Sequence, residues 1–179
     1  MGSASKPLPA GLVSSIIYRD SETCKKTVTC LESSFGPGRL LCDPLSFDKT
    51  DYYKPEMGSP LFRVFWMAQV LFDRDRLADI KNESNKIEKT FSDESGLRSV
   101  NLDPGLLSAE NFILATTKNF SHRVYLRDGI FADLTLVYKN GGYAPLEWTY
   151  PDYADLVVRN ILKSARDLYI RKPRRHSPA

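Results

Sequence analysis

The stretch LFRVFWMAQVLFDRDRLADIKNESNKIEKTFSDESGLRSVNLD (61–103) decides the fold. Residues 61–71 are dense in aromatic and β-branched side chains, which suit a pleated, half-buried surface, and they predict a strand. Asp73 or Asp75 can then start a helix, because a short acidic side chain accepts from the free amides of a first turn. Leu77, Ile80, Ser84, Ile87 and Phe91 recur at three- and four-residue steps and trace one stripe of that helix, and Gly96 ends the region. Residues 97–103 read as a returning strand that runs into a turn at Asp103-Pro104-Gly105.

Working outward toward the N-terminus, residues 12–18 form a β-branched run, after which Asp20 or Ser21 can cap a helix with Cys24, Val28, Leu31 and Phe35 on its core face. Gly36-Pro37-Gly38 stops that helix, and residues 39–47 read as a second strand that leads into a polar, aromatic loop holding Tyr52 and Tyr53. The order is βαββαβ, that of a ferredoxin-like sandwich. Toward the C-terminus, residues 108–118 fit either a short helix or a strand, and the helix is favoured because Ser108 can cap it. Residues 122–126 and 130–138 flank Asp128-Gly129, a strong hairpin signal. Residues 139–142, Lys-Asn-Gly-Gly, turn the chain again toward a strand over 143–148, which completes an antiparallel β-meander. Asp152 or Asp155 opens a C-terminal helix whose core face is Val157, Ile161, Ala165 and Leu168. The expected fold is a single α+β domain over 12–170, with flexible termini at 1–11 and 171–179.

Composition fits such a domain. The chain has 179 residues, 42% apolar and 26% charged, enough to bury a core without staples or a structural metal. No apolar run approaches the ~18 residues a membrane span needs, and the first ten residues lack the apolar centre of a signal peptide, so the expected setting is the cytoplasm without a membrane partner. The formal charge is +3, and Arg171, Lys172, Arg174 and Arg175 alone carry four positive charges, so the remainder is −1. A basic tail of this kind supplies salt-sensitive phosphate contacts or simply solubilises an end, while a near-neutral domain argues against a dedicated nucleic-acid surface. The cysteines, Cys24, Cys30 and Cys42, have neither zinc-ligand spacing nor a neighbouring histidine, and are expected to be reduced packing residues.

The hairpin can be worked out in detail. A two-residue loop at Asp128-Gly129 pairs Arg127 with Ile130 and, counting back, Arg123 with Leu134 and His122 with Thr135. His122, Asp133 and Thr135 then share a face, with Arg123 on the other. An imidazole beside a carboxylate can move protons, or the pair can merely satisfy two polar groups. Lys81, Asn85 and Glu88 form a polar ridge on the second helix, either an anion and ligand site or a solvated face. Thr116, Thr117 and Lys118 offer two hydroxyls and a cation suited to a phosphate. Tyr150 and Asp152 lie in the aromatic loop WTYPDY (148–153), which suits ring stacking or loop packing. No phosphate-loop, nucleophile-elbow or zinc-protease motif is present.

The segments EMGSPLFRVF (56–65), KNESNKIE (81–88), VNLDPGLL (100–107), LATTKNFSHRVYLRDGIFADLTL (114–136) and WTYPDY (148–153), in this order, resemble the bacterial and archaeal domain of unknown function 4416. The resemblance implies shared polar positions at Asp51, Arg63, Lys81, Asn85, Glu88, Asn101, Asp103, Thr116, Thr117, Lys118, His122, Arg123, Thr135, Tyr150 and Asp152, and names no activity. The chain departs from the family pattern at Asp133, Leu106 and Ser84, where the family has Glu, Tyr and Thr.

These observations lead to one expectation: a protein that acts on or binds a phosphorylated or nucleotide-like small molecule. Lys81, Lys118 and Arg123 would hold the anion, His122 with Asp133 or Asp103 would move protons, and Mg²⁺ could join through Asp51, Glu88, Asp103 and Asp133. The alternative is a non-catalytic RNA- or protein-binding module, and a third reading is a structural subunit of a larger assembly.

Overall fold

The computed structural model describes residues 2–48 and 50–172. It is a mixed chain built on an antiparallel sheet of nine strands. In chain order these are β1 (Ala10–Tyr18), α1 (Ser21–Phe35), β2 (Gly38–Leu40), β3 (Leu45–Ser46), α2 (Lys54–Met57), β4 (Phe62–Phe72), α3 (Leu77–Thr90), β5 (Val100–Leu107), β6 (Asn111–Thr116), β7 (Arg123–Arg127), β8 (Ile130–Lys139), β9 (Gly142–Pro145), α4 (Pro151–Ala154) and α5 (Leu156–Ile170). The sheet order is β2-β4-β1-β5-β6-β8-β7, with β3 on β4 and β9 on β8. Among the described residues no helix is long and apolar enough to cross a membrane.

β1 is buried over all nine residues, because helices cover both faces of the sheet. Leu12 and Ile16 pack with Leu31 and Phe35 of α1 and with Leu77, Ile80 and Ile87 of α3. On the other face Val13 packs with Phe65, Met67 and the α5 residues Val158, Leu162, Ala165 and Tyr169. Asp20 caps α1, its carboxylate accepting from the Thr23 amide at 2.9 Å, and Asp155 caps α5 by accepting from the Val157 amide at 2.8 Å.

The structure corrects several expectations. Residues 108–118 hold a strand, β6, in place of a helix. Ser108 Oγ accepts from the amides of Glu110 and Asn111, so the hydroxyl that looks like a helix cap closes the β5–β6 turn. Asp103-Pro104-Gly105 is no turn but the middle of β5, paired with β1 at Ser15, Ser14 and Val13. Pro104 is tolerated because β6 begins to pair only at Gly105 opposite Leu114, so no partner strand flanks that edge of β5 at Pro104. Residues 39–47 form two short strands. Ala165 of α5 is buried as expected, but Val158, Leu162 and Tyr169 take the buried places expected for Val157, Ile161 and Leu168, and Val157 is exposed. β7 and β9 share one edge of β8, since β6 takes the other along Phe131–Val137, so the expected three-stranded meander is not a simple ribbon. β1 starts at Ala10, two residues before the expected boundary, and the end of the basic tail, 173–179, lies outside the described residues.

Candidate functional site

The divergence of β5 from β6 creates the site. Gly105 is the last point of close approach: a Cβ there would sit 2.6 Å from the Phe112 ring and 2.9 Å from the Ile113 carbonyl oxygen. Before Gly105 the pairing stops, and a cleft of about 820 Å³ opens between the free edge of β5, the end of β6, helix α3 and the loops around α2 and α4.

Helix α3 closes part of that free edge. Leu102 turns both its backbone groups toward it: Lys81 Nζ donates to the Leu102 carbonyl at 2.8 Å, and the Leu102 amide donates to Glu88 at 2.6 Å. Two charged side chains two helical turns apart thus replace a missing strand, which explains why both are buried. Glu88 also accepts from Arg98 Nη1 at 2.9 Å, while Arg98 Nε and Nη2 hold Glu56 at 2.7 and 2.9 Å. Burial pushes the Glu88 carboxyl above its usual range, against the pull of Lys81, the Leu102 amide and Arg98. The bonds from Arg98 hold Glu56 below its usual range.

The hairpin is placed differently from its expected geometry. Asp128 and Gly129 have φ of 53° and 75°, as a tight hairpin turn requires. A bulge between Tyr125 and Arg127 then shifts the register, so that Arg123 lies opposite Asp133, where Leu134 was expected. Arg123 Nε donates to Asp133 at 2.8 Å, Nη1 to the Lys118 carbonyl at 2.9 Å and Nη2 to the Tyr150 hydroxyl at 2.6 Å. Its whole guanidinium is occupied in holding the cleft wall together. His122 does not line the cleft. It stacks on Trp148 with centroids 5.0 Å apart, touches Phe120, and reaches Asp133 at 3.3 Å.

The structure gathers eleven of the twelve candidate residues around this one cleft: Lys81, Asn85, Glu88, Asp103, Thr116, Thr117, Lys118, Arg123, Asp133, Tyr150 and Asp152 all line it. Lys118 Nζ donates to the Tyr52 hydroxyl at 2.9 Å and sits 4.4 Å from that ring's centroid, with no carboxylate partner among the described residues. Asp103 accepts from Asn101 at 2.9 Å, and Asp152 pairs with Arg63. The reading of candidate catalytic and binding residues missed Arg98, Glu56 and Tyr153. Arg98 follows a loop and meets Glu56 across 42 residues, so no local spacing signals it. Asp51 pairs with Lys54 outside the cleft, and among the described residues no three His, Cys, Asp or Glu side chains group to hold a metal ion.

No curated protein and no solved structure matches the chain. A family model described as Domain of unknown function (DUF4416) matches residues 8–169, and the chain belongs to that family.

Proposed function

We propose that the cleft binds a small phosphorylated molecule, with the phosphate at the rim beside Thr117, Lys118 and Lys89. The charge left over in the cleft wall carries this reading. Six cations and five acids line the cleft. Arg63, Arg98 and Arg123 are paired with acids, and Lys81 is buried against the β5 edge, whereas Lys118 and Lys89 have no carboxylate partner among the described residues. A phosphate satisfies two such cations and a hydroxyl together. The cleft volume falls within the ~300–1,000 Å³ typical of small-molecule sites, enough for a nucleotide-sized ligand.

If the protein is an enzyme, Asp103 is the carboxylate that meets the ligand, and His122 with Asp133 acts as a brace behind the wall. The unit β2-β4-β1-β5 with α1 and α3 reads as a ferredoxin-like half, extended by β6 to β9. The three cysteines are free thiols, which supports a reducing, cytoplasmic setting. A second reading, a module for a protein partner, draws on exposed Phe120, Val124 and Tyr125 around the edge strand β7.

The test is a thermal-shift screen of the full chain against nucleotides, sugar phosphates and inorganic phosphate, beside Lys118→Met. A ligand at ~100 times its Kd stabilises by about 2.7 kcal/mol, several degrees at this size. A shift with phosphate-bearing compounds that shrinks in Lys118→Met is expected. A flat response across the screen with folded protein overturns the reading and favours the protein partner.

A further inference from the structure

Arg63 Nε, in the floor of the cleft, is buried without a hydrogen bond, and the Tyr153 hydroxyl, also in the cleft lining, is buried against the hydroxyl of Ser15 beneath it. Arg63 is 3% exposed and boxed by the rings of Phe47, Tyr153 and Phe65, at 4.8, 4.8 and 5.3 Å from their centroids. Asp152 takes its Nη2 and leaves Nε unbonded. The sheet places these groups together. Arg63 lies opposite Ile17, and Ser15 lies opposite Asp103, so Arg63, Ser15 and Asp103 project from the same face of three adjacent strands, β4, β1 and β5. Tyr153, at the end of α4, lies over that face, with its hydroxyl next to Ser15's. Buried polar groups in native proteins are nearly always bonded, and the exceptions mark places where a ligand or an ordered water belongs.

The donor set narrows the ligand. Arg63 Nε–H can only donate, and an ionised Asp103 can only accept. A phosphate is an anion and is repelled by the Asp103 carboxylate, and an ammonium cannot accept from Arg63. A hydroxyl does both, and a neighbouring hydroxyl on the same ring can serve Tyr153 as well. We infer that the floor of the cleft is a subsite for the hydroxyls of a sugar. The inference rests on the phosphate reading above and deepens it: the ligand is a sugar phosphate or nucleotide, entering sugar first with its phosphate at the Lys118 rim.

Isothermal titration of the full chain with ribose 5-phosphate, glucose 6-phosphate, adenosine monophosphate and inorganic phosphate tests this. At least one sugar-bearing compound is expected to bind tenfold or more tightly than inorganic phosphate, and to lose that advantage in Asp103→Asn and in Tyr153→Phe while inorganic phosphate binds as before. Tyr153→Phe removes a hydroxyl that faces only the Ser15 hydroxyl, so the melting temperature is expected to change little, which keeps it usable if Asp103→Asn folds poorly. Equal affinity for all four compounds, or an advantage that survives both variants, overturns the sugar subsite and leaves the phosphate site standing. Failure of all four to bind removes both readings.

Discussion

Replacing Arg98 with Met leaves Glu88 as a buried carboxylate without its guanidinium. Glu88 is 6% exposed and receives Arg98 Nη1 at 2.9 Å. Removing one partner of a buried pair costs ~3–5 kcal/mol. The Arg98 side chain is itself 26% exposed, and Lys81 and the Leu102 amide still face Glu88, so the loss should fall lower, at about 2–3 kcal/mol. At ~2–4 °C per kcal/mol for a domain of this size, the melting temperature drops by about 5–10 °C. The pH dependence gives a sharper test. Arg98 lowers the Glu56 pKa, so that pair's contribution is complete above the ordinary Glu value and fades as pH falls through the lowered one. Burial raises the Glu88 pKa, so its ionisation costs stability as pH rises past the ordinary Glu value. The variant forfeits the first effect and worsens the second, so the gap between wild type and variant is expected to be wider at pH 7 than at pH 4. Urea unfolding at both pH values measures it, and Arg98→Met/Glu88→Gln should recover part of the loss at pH 7. A gap below about 0.5 kcal/mol at pH 7, typical of an unimportant surface change, or one that ignores pH, refutes this account of the network.

Other outcomes follow from the same geometry. Gly105→Ala puts a Cβ against Phe112 and a backbone carbonyl and should cost ~1–3 kcal/mol in denaturant unfolding; a neutral result would show that β5 and β6 can part there. Lys81→Met strands the buried Leu102 carbonyl, and an unfolding loss of ~1–3 kcal/mol is expected, whereas an unchanged midpoint would contradict the edge-closing role. His122→Ala should lower the melting temperature by removing the Trp148 stack while leaving ligand-induced shifts intact, and loss of those shifts would return His122 to the site. Truncation after Lys172, whose Nζ donates to the Gln69 carbonyl at 2.6 Å, should leave phosphate affinity unchanged; loss of binding would assign it to the tail's charge.

The β4-α3 segment was legible because its burial follows local period. Leu77, Ile80, Ser84 and Ile87 line up along one helix face whatever packs against them, and all four are buried. Asp128-Gly129 was legible because so few residues tolerate positive φ in a tight turn. The misreadings share a cause. Ser108 has one chemistry that serves a helix cap or a turn, Asp103-Pro104-Gly105 is turn-like until a neighbouring strand pairs through it, and Val157 and Val158 offer adjacent apolar stripes from which the sheet selects one. The bulge after Tyr125 has no signature in its own residues, yet it decides that Arg123 and not only His122 meets Asp133. The ridge of α3 was visible as residues, but its partner was not, since a strand edge left open at Leu102 is a property of the whole sheet.

The central claim, a phosphate-binding cleft, is tested most directly by titrating ¹⁵N-labelled protein with inorganic phosphate and following its amide resonances. Saturable shifts at Thr116, Thr117, Lys118 and Lys89 are the expected result. Shifts confined to residues 173–179, or none at millimolar phosphate, would contradict it.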